Sequence, residues 1–330
     1  PLEMAAQELS HAPAGRKARP QRALGWRLAV FGTALIGTAF LLQGMYGFLA
    51  GSGMSGLEWA LLAMIGATFV WVTLSGSTVG VAVAGLLARA DAEDRAPTSV
   101  APLETALLMP IYNEVPWDVF GNAAAMLADL DRQQGPHRYT LFVLSDTRDE
   151  ELAAQEWQAF RRLQAQAPDS VRVFYRRRAA NTDKKVGNIL DWVTGWGASY
   201  EGMLVLDADS LMTGRAIERL ASELSADPDA GLIQSFPMLI GAETLFARVQ
   251  QFSNVAYGWL LAEGLALWSR SEGNYWGHNA IIRTRAFAES AGLPHLKGRD
   301  LILSHDFVEA GLLRRAGWRV RFLPRVTGSY

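Results

Sequence analysis

Residues 203–210 read MLVLDADS. Four apolar residues lead into two aspartates with one residue between them. Short continuous apolar runs of this kind form strands buried on both faces. Like charges at the mouth of such a strand repel, and a buried carboxylate is costly unless something compensates it. If the strand persists through the turn, side chains two apart share a face. Asp207 and Asp209 then converge on one cation. Hard oxygens suit Mg²⁺ or Mn²⁺, and Mg²⁺ usually takes one or two protein carboxylates plus substrate phosphates. The expected compensator is a divalent metal that also grips a diphosphate.

Outward from this stretch, strand-like and helix-like runs alternate. TALLMP (105–110), RYTLFVLS (138–145), VRVFY (171–175), MLVLD (203–207), GLIQSF (231–236), NAIIR (279–283) and WRVRFLP (318–324) read as strands. Helices are expected at about 117–134, 149–166 and 214–224, from near Lys185, and from Ser304. Short apolar strands between helices imply an α/β fold with a mostly parallel sheet covered on both faces. The segment 242–268 reads as an amphipathic helix at the sheet or at a membrane surface, because Arg248 and Glu263 interrupt its apolar run.

In such sheets the ligand crevice lies at the carboxyl ends of the strands. Three polar clusters fall there: MPIYNE (109–114), LSDTRD (144–149) and LDADS (206–210). Each alone also reads as an ordinary strand-to-helix loop with a capping Asp or Ser; their placement on one rim favours a site. The stretch FYRRRAANTDKKVGN (174–188) concentrates Arg176, Arg177, Arg178, Lys184 and Lys185. It fits a phosphate, a lipid headgroup or simple solvation, and Lys-Val-Gly-Asn before an apolar helix aims a cation and a helix N-terminus at an anion. In LSHDFVEAGLLRRAGW (303–318), Ser304 reads as an N-cap. Asp306 then sits in the first turn, where the helix dipole favours the ionised form that a general base requires.

The chain has 330 residues, half of them apolar, and a net charge of −2. That balance offers no field for nucleic acid, which is not an expected partner. The absence of cysteine excludes disulfides, zinc–thiolate sites and cysteine nucleophiles. Residues 28–50 and 59–88 carry no charge, and each run exceeds the roughly 20 residues needed to cross a bilayer. Arg16, Lys17, Arg19, Arg22 and Arg27 precede the first run, Arg89 and Arg95 follow the second, and the loop between them has no Lys or Arg. Both outer ends are therefore expected on the cytoplasmic side. The organisation read here is a cytoplasmic tail (1–27), two membrane helices (28–90), a linker (91–102) and an α/β domain (103–330). The chain begins at Pro1 without Met and stops at Tyr330 just after a strand-like run, so it reads as a piece, or a processed form, of something longer.

Together MPIYNE, LSD, FYRRR, K-x-GN, VLDADS, YWGHNAIIR (275–283), LSHDFVEA and RRAGW resemble the family 2 glycosyltransferases of the GT-A fold. Within them the chain is most similar to the membrane glucosyltransferases that build osmoregulated periplasmic glucans. The resemblance implies a metal-dependent, inverting hexosyltransferase of the bacterial inner membrane, using UDP-glucose and a growing β-1,2-linked glucan as acceptor, with acyl carrier protein as a partner by analogy. Pro110, Tyr112 and Glu114 would line the uridine pocket, and Asp146 would read the base or ribose. Lys185 and Asn188 match K-x-G-N near the nucleotide. Asp207 and Asp209 match the DxD that holds Mg²⁺ or Mn²⁺ and the diphosphate. Asp306 matches the base aspartate of the T-E-D element, with His305 where the family has Glu. Trp276, Gly277, His278 and Asn279 would face the acceptor sugar. The family's Q-x-x-R-W motif and later membrane helices do not occur in these residues. Other readings are a processive synthase of the cellulose, chitin or hyaluronan type, a non-catalytic nucleotide-sugar sensor, and a phosphatase of the haloacid dehalogenase type. In that last family DxD follows the first strand and runs on into Thr or Val; here Ser210 follows, after about three strand–helix units.

Overall fold

The computed structural model describes residues 1–7, 9, 23–88, 96–97, 100–292, 295–296, 300–302 and 304–330. Most of the expected tail and linker lies outside them, with every basic residue on which the orientation rests except Arg27. In chain order the elements are helices α1 (Leu24–Leu49) and α2 (Gly56–Ala88), strand β1 (Glu104–Ile111), α3 (Pro116–Gln133), β2 (Arg138–Ser145), α4 (Glu150–Gln166) and β3 (Val171–Arg177). Next come α5 (Lys184–Trp196), β4 (Gly202–Val205), α6 (Gly214–Ala226), β5 (Ala230–Ser235), α7 (Leu245–Ser253) and α8 (Trp259–Ser269). The chain closes through β6 (Ala280–Arg283), α9 (Thr284–Ser290), the short ribbon β7 (His295–Leu296) and β8 (Asp300–Leu301), α10 (His305–Arg315) and β9 (Arg319–Leu323). These elements form two units. One holds the strands with α3–α6, α9 and α10, and the other holds α1, α2, α7 and α8.

In the sheet unit the seven main strands run in the order β3-β2-β1-β4-β6-β5-β9. All neighbours are parallel except β6, which is antiparallel to both β4 and β5. The expected α/β fold with a mostly parallel sheet is what forms, and the alternation of β1 shows why. Leu107 and Met109 point into one apolar core with Phe120, Phe160 and Ile217 of α3, α4 and α6. Ala106 and Leu108 point into a second core with Trp192, Phe287 and Leu313 of α5, α9 and α10. A sheet buried on both faces needs apolar side chains at every position, hence the unbroken apolar runs. Residues 1–7 lie along this unit, with Leu2 N–H donating to Thr194 O and Ala5 N–H to Ala288 O.

Helices α1 and α2 are 26 and 33 residues long, each with a mean hydropathy of 1.7 in its most apolar stretch, and both are long and apolar enough to cross a membrane. At a rise of about 1.5 Å per residue α1 is about 39 Å long, more than a bilayer's hydrocarbon core. Only 17% and 6% of those stretches are buried, which is opposite to the core helices of a soluble bundle. The two pack antiparallel, with Thr38 and Thr73 hydroxyls 2.7 Å apart. Segment 242–268 is helical from Leu245 onward, as expected, with a π-helical turn (Asn254–Gly258) between α7 and α8. It groups with α1 and α2 and not with the sheet. The reason is packing. A Cβ at Gly264 of α8 would fall 2.2 Å from the Thr78 carbonyl of α2, so only glycine permits that approach.

Candidate active site

Strands β1, β2 and β4 are parallel neighbours, so their carboxyl ends open on one rim. A cleft of about 1040 Å³ lies there. Pro110 lines it from the end of β1, Tyr112 and Glu114 from the loop that follows, Asp146 and Arg148 from the loop after β2, Lys184 and Lys185 from the start of α5, and Asp207 and Asp209 from the loop after β4. The three polar clusters of the sequence thus meet in one place.

The DxD aspartates get there by a route other than the expected one. Strand β4 ends at Val205, two residues early. Ser210 N–H donates to Asp207 O at 3.1 Å, and Asp207 N–H donates to the Ser210 hydroxyl at 2.9 Å. The turn thereby satisfies its own backbone, and both carboxylates line the cleft without sharing a strand face. The neighbour that compensates Asp207 is Lys185, whose ammonium contacts Asp207 Oδ1 and donates to Gly277 O at 2.9 Å. Burial pushes Glu114 above the ordinary carboxylate range, opposed by the Tyr112 and Glu114 N–H groups and helped by the charges of Glu156 and Asp209. No cluster of three or more His, Asp or Glu able to hold a metal occurs among the described residues. Asp207 and Asp209 together make the two-carboxylate set that Mg²⁺ takes when phosphates complete its shell. The donor set fits.

Asp146 is gripped by Arg178, with Nε–Oδ1 at 2.6 Å and Nη2–Oδ2 at 2.8 Å. Arg178 also donates to Asp191 at 2.9 Å and to the carbonyls of Thr182 and Lys184 at 3.1 Å. The same guanidinium therefore fixes Asp146 and the loop that carries Lys184 and Lys185. Arg177 is paired with Glu150, at 2.8 and 3.0 Å. Arg176 donates to the Asn188 side chain and carbonyl, while Asn188 Nδ2 donates to Leu144 O at 2.9 Å. The basic run is thus bound up with its own neighbours, and the cations at the cleft are Arg148, Lys184 and Lys185. Asn188, matched by the family's K-x-G-N element, is buried beneath the rim, where it holds Arg176 and β2.

Asp306 lies in the first turn of α10, as the sequence implies. Ser304 stands at the N-cap position, but its side chain makes no capping hydrogen bond. Gly277, at φ +90°, faces this carboxylate; a Cβ there would sit 3.5 Å from Asp306 Oδ2. Its carbonyl accepts from Lys185 and, at 2.9 Å, from Tyr275 OH. One backbone residue therefore joins the Lys185–Asp207 pair to Asp306. His305 Nδ1 is 3.0 Å from Glu309 Oε1. Burial pushes Glu309 up, opposed by that His305 hydrogen bond. The other acceptor-side residues divide. The Trp276 ring packs on Phe322 at 4.8 Å and Phe236 at 6.0 Å. The His278 carbonyl accepts from Gln234 at 3.0 Å. Asn279 is 0% exposed and donates to the Ser329 hydroxyl and Tyr330 O; it ties the start of the interior strand β6 to those two residues.

The profile of glycosyl transferase family 21 matches residues 133–329, more than half of the chain. The chain belongs to this family. The matched span holds Asp146, Lys185, Asp207, Asp209 and Asp306, while the loop of Tyr112 and Glu114 precedes it. Among curated relatives, the glucans biosynthesis glucosyltransferase H of Vibrio cholerae serotype O1 is 45% identical over 94% of the chain and 43% of its own length. That of Shewanella oneidensis is 43% identical over all of the chain and 47% of its own length. The chain spans about half the length of these relatives. Solved structures include a mannosyltransferase of Pyrobaculum calidifontis in complex with GDP-Man and Mn²⁺, 14% identical, TM-score 0.47, covering 92% of this chain and 66% of that one.

Sequence reading missed Glu156 and Gln234, and it placed Arg178 in a basic run without its partner Asp146. A signal for Glu156 exists: it stands among Ala153, Ala159, Phe160 and Leu163 on the apolar face of α4.

Proposed function

We propose that this chain is the donor-binding and catalytic part of a membrane-bound glucosyltransferase. In this reading it moves glucose from UDP-glucose to a growing β-glucan, the β-1,2 backbone of osmoregulated periplasmic glucans. The observation that carries it is the convergence of three strand-end loops and Lys185 on one cleft; the name of the relatives supports the choice of sugar. Tyr112, Glu114 and Pro110 bound the uridine side, and Asp146, held by Arg178, meets the base or ribose. Lys184 and Lys185 face the diphosphate. Asp207 and Asp209 would hold Mg²⁺ or Mn²⁺, which when bound neutralises charge on the diphosphate as it leaves.

Asp306 accepts the proton of the attacking acceptor hydroxyl, and a positioned base of this kind contributes about 10²–10⁴-fold. A single in-line displacement at the anomeric carbon of an α-linked donor yields a β-glucoside, the inverting outcome of family 2 chemistry. Helices α1 and α2 anchor the chain in the bacterial inner membrane, with the sheet unit cytoplasmic by the distribution of Lys and Arg. Lipid and acyl carrier protein belong to the same proposal as partners.

The test is incubation of membranes carrying the chain with radiolabelled UDP-glucose, UDP-N-acetylglucosamine and UDP-glucuronate. Glucose transfer or release from UDP-glucose above the other two is the expected result. Turnover of a different sugar, or of none, overturns the substrate assignment.

A further inference from the structure

Glu156 lies on the sheet-facing side of α4 and is 1% exposed. A carboxylate in that setting needs partners, and it has three hydroxyls. Ser145 Oγ donates to its Oε2 at 2.7 Å and Tyr175 OH to the same oxygen at 2.8 Å. Thr147 Oγ1 donates to its Oε1. Burial and the Glu156 carboxylate push the Tyr175 phenol up, which keeps it a donor.

The network continues toward the cleft. Thr147 Oγ1 accepts the N–H of Asn113 at 2.9 Å, and Asn113 Oδ1 accepts the N–H of Arg148 at 3.3 Å. Asn113 has φ +59°, the left-handed region that asparagine adopts more readily than other residues with a side chain. It sits between Tyr112 and Glu114, and Arg148 follows Thr147. One buried carboxylate therefore ties together, from behind, the two loops that form one end of the cleft.

We propose that Glu156 is a positioning residue for the nucleoside-diphosphate pocket: it never touches the ligand, yet affinity depends on it through Thr147 and Asn113. The inference rests on reading the cleft as a nucleotide site. Its chemistry is specific to a carboxylate. The Thr147 hydroxyl already accepts from Asn113, so its single proton must go to an acceptor. Glutamine has one acceptor oxygen where two are in use. With its oxygen on Thr147, the Ser145 and Tyr175 hydroxyls must both turn to accept from the N–H₂ group. With the amide reversed, the N–H₂ group meets the Thr147 hydroxyl and the link toward Asn113 loses its acceptor.

The experiment measures UDP affinity of the full chain in detergent, with Mn²⁺, for Glu156→Gln, Thr147→Val, Thr147→Ser and Tyr175→Phe. Losing a buried charge-assisted hydrogen bond predicts about tenfold weaker UDP binding for Glu156→Gln and Thr147→Val. Thr147→Ser, which keeps the hydroxyl, and Tyr175→Phe, which lies off the path to Asn113, should stay within about twofold. Hydrogen exchange of the peptide spanning Asn113 should quicken in the first two variants alone. Unchanged affinity in a folded Glu156→Gln, or equal losses in Thr147→Val and Tyr175→Phe, overturns the proposal. If Glu156→Gln does not fold, the Thr147 pair decides. A wild-type chain that binds no UDP overturns the reading of the cleft instead, and the exchange rates then decide whether Glu156 holds the loops.

Discussion

Replacing Arg178 by Met removes one half of a buried ion pair and leaves the other half in place. The Asp146 and Arg178 side chains are 4% and 8% exposed, and two parallel hydrogen bonds join them. Taking one partner from such a pair costs about 3–5 kcal/mol, because the remaining charge is left buried and uncompensated. The bonds from Arg178 to the Thr182 and Lys184 carbonyls are lost as well, so the upper half of that range is expected. Converting the partner too, as Arg178→Met with Asp146→Leu, should bring stability back to within about 1–2 kcal/mol of wild type. Urea unfolding followed by tryptophan fluorescence measures both, since Trp192 is fully buried in the core on the α5 side. UDP affinity should be lost in the single and the double variant alike, because the double lacks the Asp146 carboxylate. A single variant that loses less than about 1 kcal/mol, or a double that is no more stable than the single, would refute the claim that the buried Asp146 charge depends on Arg178.

Three further outcomes follow from the site. Asp306→Asn should reduce glucose transfer by about 10²–10⁴-fold and leave UDP binding near wild type; full turnover in that variant removes Asp306 from the base position. Lys185→Met should weaken UDP binding about tenfold by removing a charge-assisted contact to the diphosphate, and titration calorimetry that finds equal affinity places the ammonium elsewhere. Glu114 has a folded-state pKa raised above its ordinary 4.5, chiefly by burial. Its ionisation therefore opposes folding as pH rises through the raised value, and below 4.5 the group is protonated in both states and has no effect. Glu114→Gln should accordingly raise the melting temperature at pH 7 but not at pH 4; a gain of equal size at both pH values would contradict the assignment.

The elements that sequence reading located well are those whose signals are local. Asp149 caps α4 by accepting from the Glu151 and Leu152 N–H groups, and Thr213 caps α6 by accepting from Ala216 N–H. Both are visible as a polar residue ahead of a helical apolar period. What stayed hidden depends on partners distant in the chain. Lys185 meets Asp207 across 22 residues and Arg178 meets Asp146 across 32, so a run of three arginines that looks exposed is largely neutralised on folding. The two aspartates reach the cleft through a turn closed by Ser210, where an extended strand was expected. Asn188 and Asn279 carry recognisable family spacing, but their amides are spent on the carbonyls of Leu144 and Tyr330. The π-helical turn between α7 and α8 leaves no mark in the apolar pattern, since the backbone stays helical through it. Helix α9, seven residues long, is too short for a periodic signal.

Diffraction data from the full chain soaked in UDP and Mn²⁺, with an anomalous map at the manganese edge, test the central idea most directly. The expected result is one manganese peak touching the carboxylates of Asp207 and Asp209, with Lys185 moved onto the diphosphate and the uracil ring between Tyr112 and Asp146. A diphosphate bound away from the ends of β1, β2 and β4, or Mn²⁺ on other ligands with UDP present, would contradict it.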